Sequence, residues 1–597
     1  MTSNTYQTDV IDMSVISNRF DGIVREMENT LLRAGRSAVL NMARDFSCSI
    51  ITGDNRLLAS AEGLPVHVIG GDELGRALNR YHPGAKEGDA YLHNDPYEGN
   101  THAADHTLMV PVFVDGEHMF TTLAKAHQAD IGNSKPTTYM PFAEDVYEEG
   151  ALIFTATKVQ EDYRDIDDII RMCKKRIRVP NQWHGDYLAM VGAARIGERA
   201  LKELCDQYGR DVIKTFIDDW FDYSEELMRD AIGQLAPGRV TGTGRHDPVG
   251  DLAPSGVELT VTIEADPTAG KVIVDLRDNI DCLPGGINES ETCAINNAMT
   301  GILNCLDGAI PRNAGSFRCI EVKIRDNCIV GRPTFPHSTS VATTNIGERL
   351  VATTQRLIAE GWPEQGMAEG ACGIGAGFAV ISGKDTRTGA QSDYVNQVFL
   401  GSQGGAASPG YDGWITFGNS VTNGLMLRDS VEVDEQKYPI LVDELKIRQD
   451  SGGAGQWRGA PGAVLRYGPI AGEMTAYYVT DGKDNPPRGV AEGHNGAASQ
   501  QYIVSSAAPD REAVTIGSES LRVGEYLVHE LSGGGGYGSP LRREPGLVRT
   551  DVLSGLVSLT AARDLYGVVF TGERATGTLQ VDQAATDELR AGLLIEA

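Results

Sequence analysis

Two nearly identical tetrapeptides carry the residue types that bind divalent metal ions. They are His102-Ala103-Ala104-Asp105 and His127-Gln128-Ala129-Asp130. Five of the 12 histidines fall between residues 91 and 133, where an even distribution would place roughly one. Imidazole and carboxylate groups are common ligands of zinc and other transition metals. The sequence therefore predicts that the chemistry lies in this window.

His102, Asp105 and His127 form the candidate ligand set. Two imidazoles and one carboxylate leave coordination positions open for water or substrate, as is typical of catalytic rather than structural metal sites. Each ligating histidine must be neutral, with its ring oriented by a further group. Asp95, Asp130 and backbone carbonyls are candidates for that group. The alternative is that these histidines only form hydrogen bonds within a turn-rich loop, but their clustering favours metal.

Two further carboxylates are candidate catalytic residues. Asn94-Asp95-Pro96-Tyr97 precedes the cluster, and an Asp-Pro pair followed by Gly99 is typical of a turn. Asp95 is equally suited to act as a general base, so both interpretations stay open. Asp130, in the second tetrapeptide, is the other candidate for proton transfer.

A β-hairpin is expected to bring the ligands together. Thr107–Val114 and Met119–Lys125 have the composition of strands, and Asp115-Gly116 between them is typical of a tight hairpin turn. Asp105 and His127 lie at similar distances from this turn. We therefore expect them to be close in space.

The remaining chain mixes helical and strand patterns. Apolar residues from Ile16 to Leu31 recur at helical spacing, residues 158–235 are mostly helical in pattern, and a further helix is expected near Asn345–Ala359. The runs that indicate strands are Phe46–Ile51, Leu57–Ser60, Val257–Ile263, Lys271–Leu276, Ile320–Ile324, Ala463–Tyr467, Met474–Val479, Tyr502–Ser505 and Tyr526–Glu530.

These patterns predict a multi-domain α+β (mixed α/β) protein with helical N-terminal segments and a β-rich, glycine-rich C-terminal part. We expect an N-terminal α+β domain with the metal site (1–238), a central α/β domain (239–395), a β-rich, sandwich-like domain (396–545) and a C-terminal tail packed on the body (546–597). The glycine clusters after residue 396 are interpreted as tight turns.

Composition excludes several classes of function. A formal net charge of -29 argues against binding nucleic acid or anionic membranes. The nine cysteines include no Cys-x-x-Cys pair, which fits free thiols in a reducing compartment. The N-terminus lacks the features of a signal peptide, and no run of eighteen apolar residues occurs. We therefore expect a cytoplasmic protein.

Two widespread catalytic motifs are absent from the sequence. It contains no Gly-x-x-x-x-Gly-Lys-Ser/Thr phosphate-binding loop and no Gly-x-Ser-x-Gly nucleophile elbow. A serine hydrolase is therefore not expected. If the reaction uses ATP, we expect the nucleotide to bind another chain.

The window around the candidate ligands resembles the hydantoinase B family. The matching segments are Asn94 to Asp105, Pro111-Val112-Phe113, Arg44-Asp45-Phe46-Ser47-Cys48, Leu64-Pro65-Val66-His67, Asp450 to Gly455, Arg458-Gly459, Gly533 to Gly538, Gly555 to Ser558 and Tyr566 to Val569. The family includes B-type chains of ATP-dependent hydantoinases, the matching half of 5-oxoprolinase, and caprolactamase. Its ketone-carboxylase branch contains components of acetone and acetophenone carboxylases.

The resemblance implies zinc or manganese bound by His102, Asp105 and His127, with Asp45 as an additional ligand. It also implies an A-type partner that binds ATP and Mg²⁺, in a heterotetramer or larger complex. The partner would phosphorylate an amide or enolate oxygen and pass the activated small molecule to the metal-bearing chain.

Two positions depart from the family pattern. Asn100 stands where a second glycine is usual, and Asp481-Gly482-Lys483 replaces a more typical Asp-Arg. Both are polar changes near expected functional segments. Either is compatible with a different substrate.

Three functions are compatible with the sequence. The first is the B-type subunit of an ATP-dependent cyclic amide hydrolase that opens a hydantoin, oxoproline or lactam ring, in which the metal activates water. The second is a subunit of an ATP-dependent ketone carboxylase, in which the metal stabilises an enolate. The third is a non-catalytic scaffold subunit whose histidines are structural.

Overall fold

Helices and strands are mixed along the whole described chain, which covers residues 6–61, 63–389, 391–415 and 417–596 of this computed structural model. The helices are α1 (Val10–Ala34), α2 (Ala38–Asn41), α3 (Pro65–Val68), α4 (Gly71–Tyr81), α5 (Val146–Glu149), α6 (Asp167–Arg176), α7 (Pro180–Tyr208), α8 (Arg210–Ile232), α9 (Glu291–Leu303), α10 (Ala314–Phe317), α11 (Ile346–Gly361), α12 (Val431–Lys437), α13 (Pro545–Ser554), α14 (Leu559–Asp564) and α15 (Gln583–Glu596).

The strands form five sheets in the described part of the chain. They are β1 (Phe46–Thr52), β2 (Leu57–Ser60), β3 (Ala90–His93), β4 (Asp105–Val114), β5 (Glu117–His127), β6 (Thr157–Glu161), β7 (Arg164–Asp165), β8 (Gly238–His246), β9 (Val257–Asp266), β10 (Lys271–Asp275), β11 (Ile320–Lys323), β12 (Gly373–Ile374), β13 (Val380–Asp385), β14 (Ser392–Gln397), β15 (Ile440–Ile447), β16 (Ala463–Pro469), β17 (Glu473–Thr480), β18 (Gln500–Ser505), β19 (Arg511–Glu512), β20 (Ile516–Arg522), β21 (Glu525–Glu530), β22 (Phe570–Thr571) and β23 (Gln580–Val581).

An antiparallel seven-stranded sheet organises the N-terminal part, in the order β2-β1-β5-β4-β3-β6-β7. One face is covered by α1 and α7, which pack against each other and against the central strands. Apolar residues at helical spacing on α1, from Met13 to Leu31, are buried there. The expected amphipathic helix is confirmed.

The opposite face of this sheet is covered by α3 and α4. Leu74 and Leu78 of α4 form an apolar cluster with Met109 of β4 and Leu123 of β5. Because side chains alternate along a strand, the residues of β4 and β5 on this face are 105, 107 and 109 and their partners 127, 125 and 123. The candidate ligands therefore lie at the end of this face.

The central part contains a four-stranded sheet in the order β11-β10-β9-β8, in which only the β10–β11 pair is parallel. Helix α11 packs on β8 and β9 and against α9. These elements agree with the helix expected near Asn345–Ala359 and with the three strand runs expected there.

Two five-stranded sheets make up most of the C-terminal part. One contains β12, β17, β13, β14 and β20, and the other has the order β15-β16-β21-β18-β19. Strand β16 of the second sheet contacts β17 and β20 of the first. The expected boundary between residues 395 and 396 falls inside β14, so this sheet joins strands from both sides of it. The division of the chain into four domains otherwise stays a prediction.

The glycine clusters of the C-terminal part do not form tight turns, contrary to our expectation. Gly533–Gly536 instead lies against other backbone segments: Gly453 N–H donates to Gly534 O at 2.8 Å and Ala407 N–H to Gly535 O at 3.0 Å. A Cβ atom on Gly534 would lie 1.9 Å from the carbonyl oxygen of Gly405. These glycines are required because backbones approach too closely for any side chain.

The cysteines and the lengths of the helices bear on two expectations about the whole chain. The nine cysteines are unpaired, as expected. None of the helices within residues 6–61, 63–389, 391–415 and 417–596 combines the length and apolar character needed to cross a membrane.

A buried ion pair joins the central part to the C-terminal sheets. Arg349 of α11 has its Nε 2.5 Å from Asp481 Oδ2 at the end of β17, and both side chains are buried. Asp481 Oδ1 accepts the backbone N–H of Asp247 at 3.0 Å. The pKa of Asp481 is lowered, because Arg349 outweighs the effect of burial. In the segment Asp481-Gly482-Lys483, which departs from the family pattern, Asp481 therefore pairs with Arg349 of α11.

Replacing Arg349 by methionine should reduce the free energy of unfolding by about 3 kcal/mol or more, because it leaves Asp481 buried without its cation. Equilibrium unfolding in denaturant measures this change. Arg522→Met removes an exposed ion pair with Glu473 and should cost less than about 1 kcal/mol. Equal effects of the two substitutions would contradict the structural role of Arg349.

Candidate metal centre

The β4–β5 hairpin brings the candidate ligands together, as expected. Asp105 opens β4, His127 closes β5, and the two are directly paired in the antiparallel register. Asp115 and Gly116 form the turn with positive φ angles of 51° and 79°. His102 lies just before β4, and its carbonyl accepts the Asp105 N–H at 3.2 Å.

Three donor atoms converge at the end of the hairpin. His102 Nε2 lies 3.0 Å from Asp105 Oδ1 and 3.3 Å from His127 Nδ1. His127 Nδ1 lies 3.1 Å from the same carboxylate oxygen. All three side chains are buried. Within the described residues, they are the one group of histidine, cysteine and acidic side chains placed to hold a metal ion.

Contacts outside the cluster orient the histidine rings. His102 Nδ1 lies 2.8 Å from the Ser340 carbonyl oxygen. A carbonyl can only accept a hydrogen bond, so the neutral ring carries its proton on Nδ1 and directs the Nε2 lone pair toward the cluster. Thr138 Oγ1 lies 3.4 Å from His127 Nε2. A backbone carbonyl, one of the expected orienting groups, thus serves His102.

Asp105 is the negative centre of the cluster. Its Oδ2 accepts the Thr101 hydroxyl at 2.5 Å and lies 3.2 Å from His67 Nε2. Burial opposes ionisation of Asp105, but His102 and His67 outweigh it and hold the pKa well below its usual range. Burial also acts to lower the pKa of His102, and the Asp105 carboxylate reverses this and raises it. The carboxylate is therefore ionised and available to a cation.

Asp45 continues the row of ligands across the sheet. It precedes β1, whose Phe46 pairs with Ala126 of β5, and its carbonyl accepts the His127 N–H at 3.1 Å. Asp105 on β4, His127 on β5 and Asp45 just before β1 thus lie in a row across the sheet. Burial raises the pKa of the Asp45 carboxyl to about 6, against the opposing effect of His127. Asp45 is outside the three-residue group but borders it.

His67 of α3 is a site residue that the clustering of histidines did not reveal. Its Nε2 lies between two carboxylates, 3.2 Å from Asp105 Oδ2 and 3.7 Å from Asp45 Oδ1. Burial lowers the pKa of His67. The signal for it in the sequence was the segment Leu64-Pro65-Val66-His67, which contributed to the family resemblance.

Asn100, the other departure from the family pattern, braces the loop that carries the ligands. Its Nδ2 donates to the carbonyl oxygens of His102 at 2.7 Å and Asp105 at 2.8 Å. Its Oδ1 accepts the Thr107 hydroxyl at 3.0 Å. The left-handed backbone in this turn is at Gly99, with a φ of 96°, so position 100 does not require glycine.

Asp95 and Asp130 lie near the cluster in sequence but have other partners. Asp95 accepts the Tyr97 N–H at 3.0 Å and the Thr155 hydroxyl at 2.6 Å. Asp130 accepts the Arg178 backbone N–H at 2.6 Å and forms an ion pair with its guanidinium at 3.0 Å. In the described chain, neither carboxylate forms a hydrogen bond or ion pair with the three-residue group.

The other histidines of the window serve elsewhere. His106 follows Asp105 and therefore faces the opposite side of the sheet, where its ring contacts Phe154 and Trp183. His93 Nδ1 accepts the backbone N–H of Ala156 at 3.0 Å. His118 lies near the hairpin turn, 2.9 Å from the Thr121 hydroxyl. Burial lowers the pKa of His106 to about 3, which keeps that ring neutral.

A small cavity of about 30 Å³, called here the metal cavity, adjoins the cluster. Its polar lining residues include Asp45, His67, His127, Tyr139, Gln397 and Asn419. This volume admits about two water molecules, whereas small-molecule sites usually exceed about 300 Å³. The metal cavity is therefore too small for a ring-sized molecule unless its walls move.

Comparison with solved structures places the fold. An ATP-dependent caprolactamase from Pseudomonas jessenii superposes with a TM-score of 0.86 at 28% identity, covering 98% of this chain and 100% of that chain. A nucleotide-free acetone carboxylase superposes with a TM-score of 0.84 at 17% identity, covering 98% and 83%. At the lower identity the likeness concerns the fold alone.

Comparison of sequences identifies the family. The beta subunit of caprolactamase from Pseudomonas jessenii is 30% identical over 600 residues, which cover 98% of this chain and 99% of that protein. The B component of a putative D-/L-hydantoinase from Pseudomonas sp. strain NS671 is 28% identical over 619 residues, covering 98% of each. The family model for hydantoinase B/oxoprolinase matches residues 9–540. This chain therefore belongs to the hydantoinase B/oxoprolinase family, whose members include ATP-dependent cyclic amide hydrolases.

Proposed function

We propose that this chain is the metal-bearing B-type subunit of an ATP-dependent hydrolase that opens cyclic amides such as lactams, hydantoins or oxoproline. The observation that carries the proposal is the convergence of His102, Asp105 and His127 in a chain of this family. A cytoplasmic location is part of the proposal, because unpaired thiols are usual in reducing compartments.

The geometry of the three donors fits a divalent cation. Two ring nitrogens 3.3 Å apart, both close to one carboxylate oxygen, form a compact set of donors that one divalent cation can share. Two imidazoles and a carboxylate suit zinc or manganese. When bound, such an ion polarises a carbonyl or lowers the pKa of water.

The residues around the donors hold them in place. Ser340 O fixes which nitrogen of His102 faces the cluster, while Thr101 and His67 contact Asp105 Oδ2, so that Oδ1 would be the oxygen that holds an ion. Asn100 ties the backbone of His102 to that of Asp105. These contacts fix the orientation of the donor atoms, which favours both affinity and geometry.

We assign ATP to an A-type partner that phosphorylates the substrate before the metal-bearing chain acts. The sequence lacks a phosphate-binding loop, and the relatives are named as beta or B components of larger enzymes. The proposed assembly is a heterotetramer or larger.

Among the candidate carboxylates, the contacts support Asp45 best as a fourth ligand. Its backbone is hydrogen-bonded to His127 and its carboxyl lies beside His67 at the metal cavity. Asp95 and Asp130 stay proposed as residues that transfer protons, but each must first give up the partners described above.

His102→Ala should reduce the metal affinity of the purified full chain by more than about 100-fold, because loss of a direct ligand exceeds the loss caused by an outer partner. Elemental analysis and metal titration with zinc and manganese measure this. The control is His184→Ala on α7, outside the cluster. Unchanged metal content in His102→Ala would overturn the site assignment.

Asp45→Asn and Asp130→Asn should have opposite signatures. Asp45→Asn should weaken metal binding by about 10-fold or more, because it removes a charge beside the cluster. Asp130→Asn should lower the melting temperature, because Arg178 loses its partner, while metal content stays near that of the wild type. If Asp130→Asn instead loses the metal with an unchanged melting temperature, Asp130 is the metal ligand and the assignment of Asp45 is wrong.

The complex co-purified with its A-type partner should hydrolyse ATP only when a cyclic amide is supplied. Lactams, hydantoins and oxoproline are tested against ketones with bicarbonate, by measuring phosphate release and ring-opened product. Chelation should abolish turnover, and zinc or manganese should restore it. Coupling to ketones alone would favour a carboxylase, and full activity after verified metal removal would favour a scaffold role.

A further inference from the structure

A second cavity, of about 460 Å³, lies behind α3 as seen from the metal cavity. We call it the outer cavity. Leu64, Val66 and His67 line the metal cavity, whereas Pro65 and Val68 line the outer cavity. One short helix therefore forms a wall of both.

Residues 421–425 also form a wall between the two cavities. Val421 and Thr422 line the metal cavity, and Asn423 and Leu425 line the outer cavity. The outer cavity thus shares two walls with the proposed metal centre. Its volume is within the range of small-molecule sites.

Arg312 is the unusual group of the outer cavity. Its side chain is exposed to the solvent of the cavity, and within the described chain its guanidinium has no hydrogen bond or ion pair. Burial lowers the pKa of Arg312, and no carboxylate of the described residues opposes this effect. Six residues later, Arg318 lies outside the cavity and has two ion pairs, with Asp222 and Glu225.

The loop that carries Arg312 is held firmly on both sides. Asn313 caps α10, accepting the N–H groups of Gly315 and Ser316, and donates to Ser224 Oγ at 2.9 Å. The Ser316 hydroxyl donates to Pro311 O at 2.6 Å. The position of the guanidinium therefore does not depend on a flexible loop.

The rest of the cavity wall is mostly apolar or already satisfied. Its apolar residues include Leu58, Val68, Trp220, Leu303, Phe317 and Leu425. Asn304 and Asn423 donate to each other at 2.9 and 2.6 Å. Asp21, the acidic residue among the described lining residues, interacts electrostatically with Arg25 rather than with Arg312. Arg25 also lines the cavity and interacts with Asp21, so Arg312 is the cation without a partner among the described lining residues.

We propose that the outer cavity binds a small organic carboxylate, with the carboxylate on the Arg312 guanidinium and the aliphatic part against the apolar wall. A guanidinium binds a carboxylate with two parallel hydrogen bonds. Inorganic phosphate is less suitable, because its higher charge would face apolar residues and, among the described lining residues, Arg312 as the one cation without a partner. This proposal goes beyond the proposed reaction and does not depend on it.

Calorimetric titration of the full chain with hexanoate tests the proposal, with hexanamide and inorganic phosphate as comparison ligands. Hexanoate should bind saturably, and the other two should bind at least about tenfold more weakly, because a hydrogen bond to a charged group contributes that much. Hexanamide equal to hexanoate would show an apolar cavity only, and stronger binding of phosphate would show a phosphate site. Either result would overturn the proposal.

Substitutions locate the binding site on the protein. Arg312→Gln should weaken hexanoate binding by about tenfold or more, and Arg312→Lys should restore part of it. Arg318→Gln makes the same change of net charge outside the cavity and should leave binding unchanged. Thermal melting confirms that each variant is folded. Absence of saturable binding to the wild type, or equal binding by Arg312→Gln, would overturn the proposal.

Discussion

The register of one hairpin is the constraint on which the rest of the site depends. Because β4 and β5 pair Asp105 directly with His127, the two ligands share a face and a level of the sheet. Asp45, just before β1, lies beside them, and α3 covers the same face with His67. The helices on the other face, α1 and α7, bury the apolar residues that alternate with the ligands. The core and the site are therefore two consequences of the same pairing.

Buried charge is the second constraint. Asp105 is fully buried, and its ionised form is stabilised there by the neighbouring histidines and the Thr101 hydroxyl. Arg349 of α11 stabilises the buried carboxylate of Asp481, at the end of β17, in the same way. Such pairs add little net stability, but each fixes how two distant segments meet. At the metal centre a hydrogen bond has the same effect, since the Ser340 carbonyl reaches His102 from the central part of the chain.

The sequence was sufficient for the parts of the site that are local. His102, Asp105 and His127 lie around one predictable turn, and the structure brings them together. His67 and Ser340 were not predictable from spacing, because their contacts join segments that only the tertiary fold brings close. The two tetrapeptides look alike, yet Asp105 begins a strand and Asp130 follows one. The second carboxylate therefore meets Arg178 instead of the cluster.

The glycine clusters show a different limit, because glycine permits both a turn and a close backbone contact and composition does not distinguish them. The hairpin has a consequence for how the family can vary in length. Residues inserted at Asp115-Gly116 lengthen both strands outward and leave Asp105 opposite His127. A single residue inserted inside β4 instead turns every side chain on one side of the insertion to the opposite face. Natural length variation should therefore accumulate at the tip of this hairpin and be rare along its two arms.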